Sequence, residues 1–456
     1  MACCTQGAMP RSLACGESGA ADAGGAPQAA GSPDAPPAPL ADARMIVFDK
    51  LPLSDTCWSL STGPDDRIYA AACTEHTGGV AAYLMRYTPA AELGQGKLEY
   101  LFDIGEAVGE PADNGRAAQC KIHYCLMPDP NTGILYGATH LSGAPRGDIG
   151  YSWFGSWREP HRSFRGSFLF AFDTRHDRIL WTDLCYPWEG SRCMGLDAQR
   201  GLVHGVGFPR DHYFVYDLQQ RRHTDYGRLG SVNPQCLWLD SRGNAYTTDD
   251  FGHVMRFDAD RRRLEQLEMR TPCAPWSDGW HNVAYDAVAD PRDPDAVYGC
   301  SWNVPSHIFR YRMDPRGGPG EMRDFGPGLP EAGYKETGTF FSDHVGGLVF
   351  GDDGHLYYTA SDMVREAWEV VSDRRCWIMR LDVQTGEKRR VGLLKFGAFS
   401  AAYVSRAGRT RSGRVLLADV INRPTRIYEF QPPVEPGAGP EGTGRPKVEP
   451  PLRSWG

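Results

Sequence analysis

One unit recurs seven times along this chain, and it constrains the fold more than any other feature. Each copy opens with a turn residue and a short hydrophobic-aromatic step, then continues after a gap with a hydrophobic run that usually ends on aspartate. Residues 133–137 (GILYG) with 170–173 (FAFD), and 201–205 (GLVHG) with 214–217 (FVYD), show the pattern. Tight turns between short alternating strands, at a spacing of roughly 40 to 70 residues, are typical of radially repeated four-stranded sheets. Seven copies therefore predict an all-β fold, a seven-bladed β-propeller.

The repeats also predict the domain organisation. A propeller closes its whole chain into one ring, so 456 residues are expected to form one folded domain. Residues 1–44 are a leader rich in Ala, Gly and Pro, and we expect it to be disordered because it has too little apolar surface to bury. The propeller is expected over residues 45–432, with residues 46–49 (IVFD) completing the last blade, and residues 433–456 form a second disordered segment.

Charge and cysteine usage limit the partners and the compartment. The net charge of −8, with both signs scattered along the chain, argues against a nucleic-acid partner. No apolar run reaches the length of about 18 residues that a membrane span needs. The 13 cysteines follow no regular spacing, which predicts reduced and mostly buried thiols. With no clear secretory signal, a cytoplasmic protein is expected, and secretion is the alternative.

The repeats place polar residues on one face of the ring. In each blade the innermost strand starts on one face, and the next strand returns and ends on that same face. The return strands of the second and third blades end near His140 and Arg210. We predict that these residues and the inner-strand starts converge on one functional face. The seven inner-strand starts are predicted at Cys57, His123, Arg192, Gln235, His281, His344 and Ser400.

The loop that leaves the second blade, residues 141–166, indicates the class of ligand. It interleaves aromatic and basic residues, among them Trp153, Trp157, Arg158 and Arg162. Aromatic platforms beside guanidinium groups suit stacking on sugar rings and pairing with carboxylates or sulfates. We therefore predict that these four residues bind an acidic saccharide. The alternative is that the loop only covers the channel or packs on the neighbouring blade.

Three segments carry a resemblance to a known family. Residues 121–124 (KIHY), 133–140 (GILYGATH) and 205–210 (GVGFPR) resemble the paired-histidine blade, and the arginine on the next blade, of the seven-bladed propeller polysaccharide lyases, the ulvan lyases in particular. In that family the two histidines and the arginine surround a uronic acid. The resemblance therefore implies this role for His123, His140 and Arg210. It also calls for a tyrosine in the strand before the arginine, where this chain has RCMG at 192–195, so Tyr186 becomes a candidate acid.

A related propeller family, the oligogalacturonate lyases, holds a divalent metal with histidines and a glutamine. By this second resemblance, His281, His344 and Gln235 are candidate ligands of a divalent metal such as zinc, calcium or manganese. The chain has no His-x-His or similarly strong ligand spacing in this region. A metal is thus a hypothesis that stands beside a metal-free mechanism.

The candidate residues match the needs of β-elimination. That reaction needs a cation to neutralise the substrate carboxylate, a base to remove the acidified C5 proton, and an acid to protonate the leaving oxygen. We assign Arg210 to the carboxylate, His123 to proton abstraction, His140 to orienting or protonating the substrate, and Tyr186 to the acid. The leading hypothesis is a lyase acting on uronic-acid-containing poly- or oligosaccharides. The alternatives are a non-catalytic propeller that binds a saccharide or protein, and a metal-dependent propeller hydrolase or lactonase.

Overall fold

The computed structural model describes residues 42–141, 161–230, 234–272, 283–302, 305–330, 340–342, 344–366, 369–370 and 375–433, which belong to one compact unit. The predictions for the leader up to residue 41 and for residues 434–456 lie outside these ranges. The one helix among the described residues, α1 (Ile104–Ala107), has four residues, so no helix in this part of the chain is long and apolar enough to cross a membrane.

The strands follow one another in groups of four. The first described strand is β1 (Ala43–Val47). Blade 1 contains β2 (Leu60–Thr62), β3 (Ile68–Cys73), β4 (Ala82–Thr88) and β5 (Lys97–Asp103). Blade 2 contains β6 (Leu126–Pro128), β7 (Ile134–Ala138), β8 (Gly166–Asp173) and β9 (Arg178–Pro187). Blade 3 contains β10 (Gly190–Asp197), β11 (Leu202–Phe208), β12 (His212–Asp217) and β13 (Arg222–Arg228).

Blades 4 and 5 continue the same order. They contain β14 (Trp238–Leu239), β15 (Ala245–Thr248), β16 (His253–Asp258) and β17 (Arg263–Arg270); and β18 (Ala284–Asp290), β19 (Asp293–Ser301), β20 (His307–Arg312) and β21 (Glu321–Pro327).

Blade 6 carries two short additional strands on its long second strand. It contains β22 (Phe340–Ser342), β23 (Val345–Phe350), β24 (Leu356–Glu366), β25 (Glu369–Val370), β26 (Arg375–Leu381) and β27 (Lys388–Leu393), with β22 and β25 both paired to β24. A small hairpin of β28 (Lys395–Phe396) and β29 (Phe399–Ser400) leads to blade 7, which contains β30 (Tyr403–Arg409), β31 (Val415–Val420) and β32 (Arg426–Phe430).

The two halves of each sequence repeat form the second and third strands of a blade. In blade 2, Ile134 of β7 pairs with Asp173 of β8, and in blade 3, Leu202 of β11 pairs with Asp217 of β12. The hydrophobic run on one strand lies against the hydrophobic step on its neighbour, so the two halves of a repeat together form one β-hairpin. The prediction of an all-β, seven-bladed propeller is confirmed.

The ring is closed by the first strand of the propeller. β1 pairs antiparallel with β32, from Ala43 opposite Phe430 to Val47 opposite Arg426, and so becomes the outermost strand of blade 7. This confirms the closure predicted for residues 46–49. The strand begins at Ala43, two residues before the predicted boundary, because the backbone pairing continues to a buried alanine that composition alone assigns to the leader.

The core lies between the blades. The inner strands are buried on both faces, as in β3, whose six residues (IYAAAC) are all buried, whereas the outer strand β17 alternates exposed and half-buried residues. Close packing also fixes small residues: a Cβ on Gly137 would lie 2.1 Å from the ring of Phe170 on the next strand. Nine cysteines of the described residues are buried thiols, in agreement with their irregular spacing.

Several inner strands change register near the channel, and this positions the candidate site. In β10, Ser191 pairs with Gly207 but Cys193 pairs with Val206, so one extra residue lies between them. In blade 2, Lys121 is bridged to His140, and the next pair is Leu126 with Gly137. Five residue steps on the inner segment therefore lie opposite three steps on the neighbouring segment. Such bulges re-aim side chains and occur next to functional sites. The extra or bulged positions include His123, Tyr124, Arg192, Tyr285 and Arg406.

Candidate functional site

A pair of buried histidines lies at the channel end of blade 2. His123 comes from the bulged inner strand, and His140 follows the second strand of the same blade. Their ring centroids are 5.7 Å apart, and both side chains are 0% exposed. The His123 ring stacks on Trp58 of blade 1 at 4.8 Å, and the His140 ring stacks on Phe208 of blade 3 at 4.9 Å. Three neighbouring blades thus hold the pair in place.

The hydrogen bonds of the pair determine which ring nitrogen carries the proton. His123 Nδ1 lies 2.8 Å from the carbonyl oxygen of Arg192, and His140 Nδ1 is bonded to the carbonyl oxygen of Leu141. A carbonyl oxygen only accepts, so Nδ1 must donate in both rings. Each Nε2 then presents a lone pair, and neither Nε2 has a hydrogen-bond partner among the described residues. Each ring of the pair therefore carries one buried, unprotonated nitrogen.

Both rings are neutral over the physiological range. Burial lowers the pKa of His123 well below its usual value, and the positive charges of Arg192 and Lys121 lower it further. The pKa of His140 is lowered well below its usual value by the same causes. A neutral imidazole with a free Nε2 lone pair is a hydrogen-bond acceptor or a base. Each Nε2 is therefore an acceptor that a hydrogen-bond donor of a ligand would satisfy.

A buried ion pair forms the blade 1 side of this site. Lys121, 1% exposed, places its Nζ 2.5 Å from Oε1 of Glu75, and it lies 4.7 Å from the centre of the Trp58 ring. The indole nitrogen of Trp58 donates to the other carboxylate oxygen of Glu75. Burial opposes ionisation of Glu75, yet the Lys121 ammonium lowers the pKa of that carboxyl. The pair fixes the indole plane on which His123 stacks.

Arg192 is a second buried cation near the histidines. It is 7% exposed, it is the extra residue of the β10 bulge, and its guanidinium lies 5.2 Å from the centre of the Phe208 ring. Phe208 also stacks on His140, so one aromatic ring contacts both groups. Lys121 is compensated by Glu75, so Arg192 makes the surroundings of the histidines positive. An anionic ligand is favoured there, and a bare cation is disfavoured.

Blades 2 and 3 approach each other closely at Gly190. A Cβ at this position would lie 3.0 Å from both Cα and Cγ of His140. Only glycine permits this distance without movement of the histidine backbone. The first residue of β10 therefore sets the position of His140.

Aromatic residues of blades 2, 5, 6 and 7 continue from the histidine pair. Tyr124 contacts His123 at 4.3 Å, and Tyr285 packs edge-on to Tyr124 at 5.9 Å between ring centroids. His344 lies between Tyr285 and Tyr403, at 4.4 and 4.3 Å. Farther along, the guanidinium of Arg406 lies 4.0 Å from the centre of the Tyr124 ring and is bonded to the carboxylate of Asp286.

Asp211 is a buried carboxyl beside Arg192. It follows Arg210 in the turn between β11 and β12, it is 0% exposed, and neither of its carboxylate oxygens has a hydrogen-bond partner among the described residues. Burial raises the pKa of Asp211 to about 7, with Arg192 opposing the rise and Asp250 and Glu189 adding to it. Close to neutral pH this carboxyl therefore both holds and releases a proton.

Arg210 and Tyr186 occupy different surroundings from the histidines. The Arg210 side chain is 59% exposed and lies 4.0 Å from the Glu189 carboxylate. The hydroxyl of Tyr186 donates to Asp225 at 2.8 Å, and its ring stacks on Phe214 at 4.5 Å. Tyr186 thus already uses its proton in a hydrogen bond, and its role as an acid remains a prediction.

Several predicted residues lie outside the described ranges. These are the saccharide-binding candidates Trp153, Trp157 and Arg158 and the metal candidate His281. Arg162 is half-buried, and its carbonyl oxygen accepts a hydrogen bond from the Ala117 amide at 3.0 Å. No three His, Cys, Asp or Glu side chains of the described chain could hold a metal ion together. The set His281, His344 and Gln235 remains a prediction because one member is not described.

The predicted inner-strand starts Cys57 and Ser400 lie three residues before β2 and β30, as His123 lies three residues before β6. Cys57 packs in the core near blade 1, and the next residue, Trp58, contacts His123. Ser400 belongs to the small β29 hairpin, and blade 7 starts at Tyr403. Both histidines are 0% exposed, because the bulged backbone and the stacked rings of Trp58 and Phe208 enclose them.

Comparisons with known proteins agree on the fold alone. A streptogramin B lyase structure matches with a TM-score of 0.52 and 10% identity over 86% of this chain and 99% of that one. U3-55K matches with a TM-score of 0.52 and 9% identity over 87% and 100%. The extracellular domain of the putative one-component system BT4673 from B. thetaiotaomicron matches with a TM-score of 0.49 and 11% identity over 87% of this chain, which spans only 40% of that one. No protein-family model and no curated protein matches.

Proposed function

We propose that this protein is a lyase that cleaves uronic-acid-containing oligo- or polysaccharides by β-elimination at the His123–His140 pair. The observation that carries the proposal is the pair of unprotonated Nε2 atoms, buried near the Arg192 guanidinium and without a hydrogen-bond partner in the part of the chain that the structure describes. A ligand that complements them needs a negative charge for Arg192 and hydrogen-bond donors or an acidic C–H for the two nitrogens. A uronic acid supplies the negative charge, the hydroxyl donors and the acidic C–H. The shared fold with a streptogramin B lyase, at 10% identity, adds nothing to this chemistry.

The residues have complementary roles in this proposal. The carboxylate of the sugar pairs with Arg192, which acidifies the C5 proton. Nε2 of His123 accepts that proton, the C4–C5 double bond forms, and the bond from C4 to the leaving oxygen breaks. His140 Nε2 has no proton to donate, so it orients the sugar by accepting from a hydroxyl.

The leaving oxygen also needs a proton, and we assign its donor to Asp211. A carboxyl with a pKa of about 7 retains a proton in a large share of molecules at neutral pH. Tyr186, the acid that the sequence suggests, is committed to Asp225. Arg210, exposed at the rim, is then available to a neighbouring unit of the saccharide.

The test is product formation from defined uronates. Wild-type protein is incubated with ulvan, pectate, alginate and glycosaminoglycan oligosaccharides, and the unsaturated product is followed by ultraviolet absorbance and mass spectrometry. Oligosaccharides are the better first substrates because the histidines are buried and a chain end reaches them more easily than the middle of a polymer. Binding without any unsaturated product would favour the non-catalytic propeller, and stoichiometric metal in never-chelated protein would favour a metal-dependent mechanism.

A further inference from the structure

Trp188 is an exposed tryptophan with an unfavourable backbone conformation. It lies in the link between β9 and β10, its φ is +68°, and it is 52% exposed. L-residues with bulky side chains rarely adopt positive φ, and glycine would fit this position without strain. Strained residues persist where the surroundings over-determine them, and they cluster at ligand-binding sites. An exposed indole offers little packing energy in return, so the fold alone does not explain a tryptophan here.

The backbone around Trp188 is held firmly from blade 2. Its amide donates to the carbonyl oxygen of Arg165 at 3.1 Å, and the guanidinium of Arg165 is bonded to Glu110 at 2.7 Å. A Cβ on Gly166 would lie 2.8 Å from the Trp188 nitrogen, so the two segments are in direct contact. The indole therefore projects from a fixed point of the rim.

That point adjoins the candidate site. Two residues after Trp188, Gly190 packs against the backbone and ring of His140. Between them, the buried carboxylate of Glu189 lies 4.0 Å from the guanidinium of Arg210, whose side chain is 59% exposed. The exposed Trp188 is thus the chain neighbour of Glu189, which contacts the accessible Arg210 guanidinium, and both adjoin the Gly190 contact with His140. This combination suits an acidic sugar ring, through stacking of its C–H face and pairing of its carboxylate.

We infer that Trp188, with Arg210 beside it, forms an outer subsite that holds the sugar unit next to the one bound by the His123–His140 pair. This inference rests on the proposed function and extends it: the ligand is an acidic oligosaccharide of at least two units, and a monosaccharide uses only the inner part of the site. A purely structural tryptophan would affect folding stability, whereas a subsite residue affects binding according to ligand length.

The experiment compares Trp188→Gly, Trp188→Phe and wild type. Isothermal titration calorimetry measures the affinities of galacturonate and of tetragalacturonate for each protein. Each protein is tested with and without the additional substitution His123→Gln, which prevents turnover. Tyr100→Ala, an exposed aromatic residue on the outer strand β5, is the matched control because its 45% exposure is similar and it lies far from the link. Melting temperatures are recorded for every variant.

We expect Trp188→Gly to weaken tetragalacturonate binding about tenfold, the size of one lost aromatic contact. Galacturonate binding should not change. The melting temperature should stay the same or rise. Trp188→Phe and Tyr100→Ala should bind like wild type. Unchanged tetragalacturonate affinity in Trp188→Gly, or equal losses for both ligands with a lower melting temperature, would overturn the outer subsite and leave the lyase proposal intact. If wild type bound neither these ligands nor matching ulvan and alginate oligosaccharides, both proposals would fall.

Discussion

His123 is bonded through Nδ1 to the main-chain carbonyl of Arg192, at 2.8 Å, so one residue both fixes the tautomer of the histidine and places a guanidinium beside it. The β10 bulge makes this arrangement possible, because the extra residue turns the Arg192 side chain out of the regular strand alternation. The base and the carboxylate-binding cation of the proposed reaction are therefore coupled through a single backbone position.

Replacing either histidine should slow elimination, and the two losses should differ in size. His123→Gln removes the base but keeps a polar side chain of similar size, and the expected loss in kcat is about 10²- to 10⁴-fold. His140→Gln removes only an orienting acceptor, so a smaller loss with a raised KM is expected. Initial rates of unsaturated product formation measure both effects.

The control is His176→Gln. His176 lies in the turn between β8 and β9, on the opposite face, and its side chain is 67% exposed. Wild-type rates are expected for this variant. If His123→Gln kept full activity with an unchanged melting temperature, the assignment of the base would be wrong.

The buried histidines should make the fold sensitive to acid. His123 and His140 are neutral in the folded state because burial lowers their pKa values, and the pKa of buried His204 is lowered to about 4 by the same cause. The unfolded chain takes up protons at these residues below pH of about 6.5, so the free energy of unfolding should fall as the pH drops through that value.

The loss should approach about 1.4 kcal/mol per pH unit for each buried histidine. Denaturant unfolding at a series of pH values measures it. A His123→Gln/His140→Gln double variant should lose clearly less stability on acidification than wild type, and His176→Gln should follow the wild-type curve. Parallel curves for the double variant and wild type would show that the histidines are protonated in the folded protein.

The sequence predicts the blades well because their periodicity is local. Each hairpin needs its own turn and its own hydrophobic alternation, so residues such as Gly133 and Asp173 mark strand ends without knowledge of the rest of the chain. Closure by residues 46–49 is also predictable, since the last repeat lacks one strand and the first segment has the matching pattern. Both inferences use pairings that every blade repeats.

The site is less predictable because it depends on departures from that repeat. Bulges at Arg192 and around His123 shift register by one or two residues, and no sequence signal marks them. Trp58 and Asp211 reach the site through such irregular segments, and the sequence alone does not distinguish them from core residues. The Lys121–Glu75 pair joins two blades, and 46 residues separate its members, so it depends on the closed ring.

Gly190→Ala should disturb the histidine pair from the neighbouring blade. The added Cβ would lie 3.0 Å from His140 Cα and 3.1 Å from the Leu141 amide nitrogen, closer than ordinary contact. Backbone atoms yield little, so we expect a loss of about 1 to 3 kcal/mol in the free energy of unfolding and a lower kcat. Thermal unfolding and rate measurements on the same preparation test this. Wild-type values for both would mean that blades 2 and 3 separate easily at this point.

Asp211→Asn should stabilise the fold while weakening catalysis. Burial raises the pKa of Asp211 to about 7, so the folded state holds a proton that the unfolded chain releases near pH 4. Stability therefore falls as the pH rises from about 4 to 7 and stays reduced above it. The amide cannot ionise, so Asp211→Asn should be about 4 kcal/mol more stable than wild type at pH 8, and the difference should shrink to about 1.5 kcal/mol at pH 5. The same variant has lost the proposed proton donor, and its rate of elimination should fall at least tenfold.

The control is Asp113→Asn, at an exposed position, which should change neither the stability nor the rate. A destabilised Asp211→Asn protein at pH 8 would show that the carboxylate is ionised and paired in the fold, and it could then not serve as the acid.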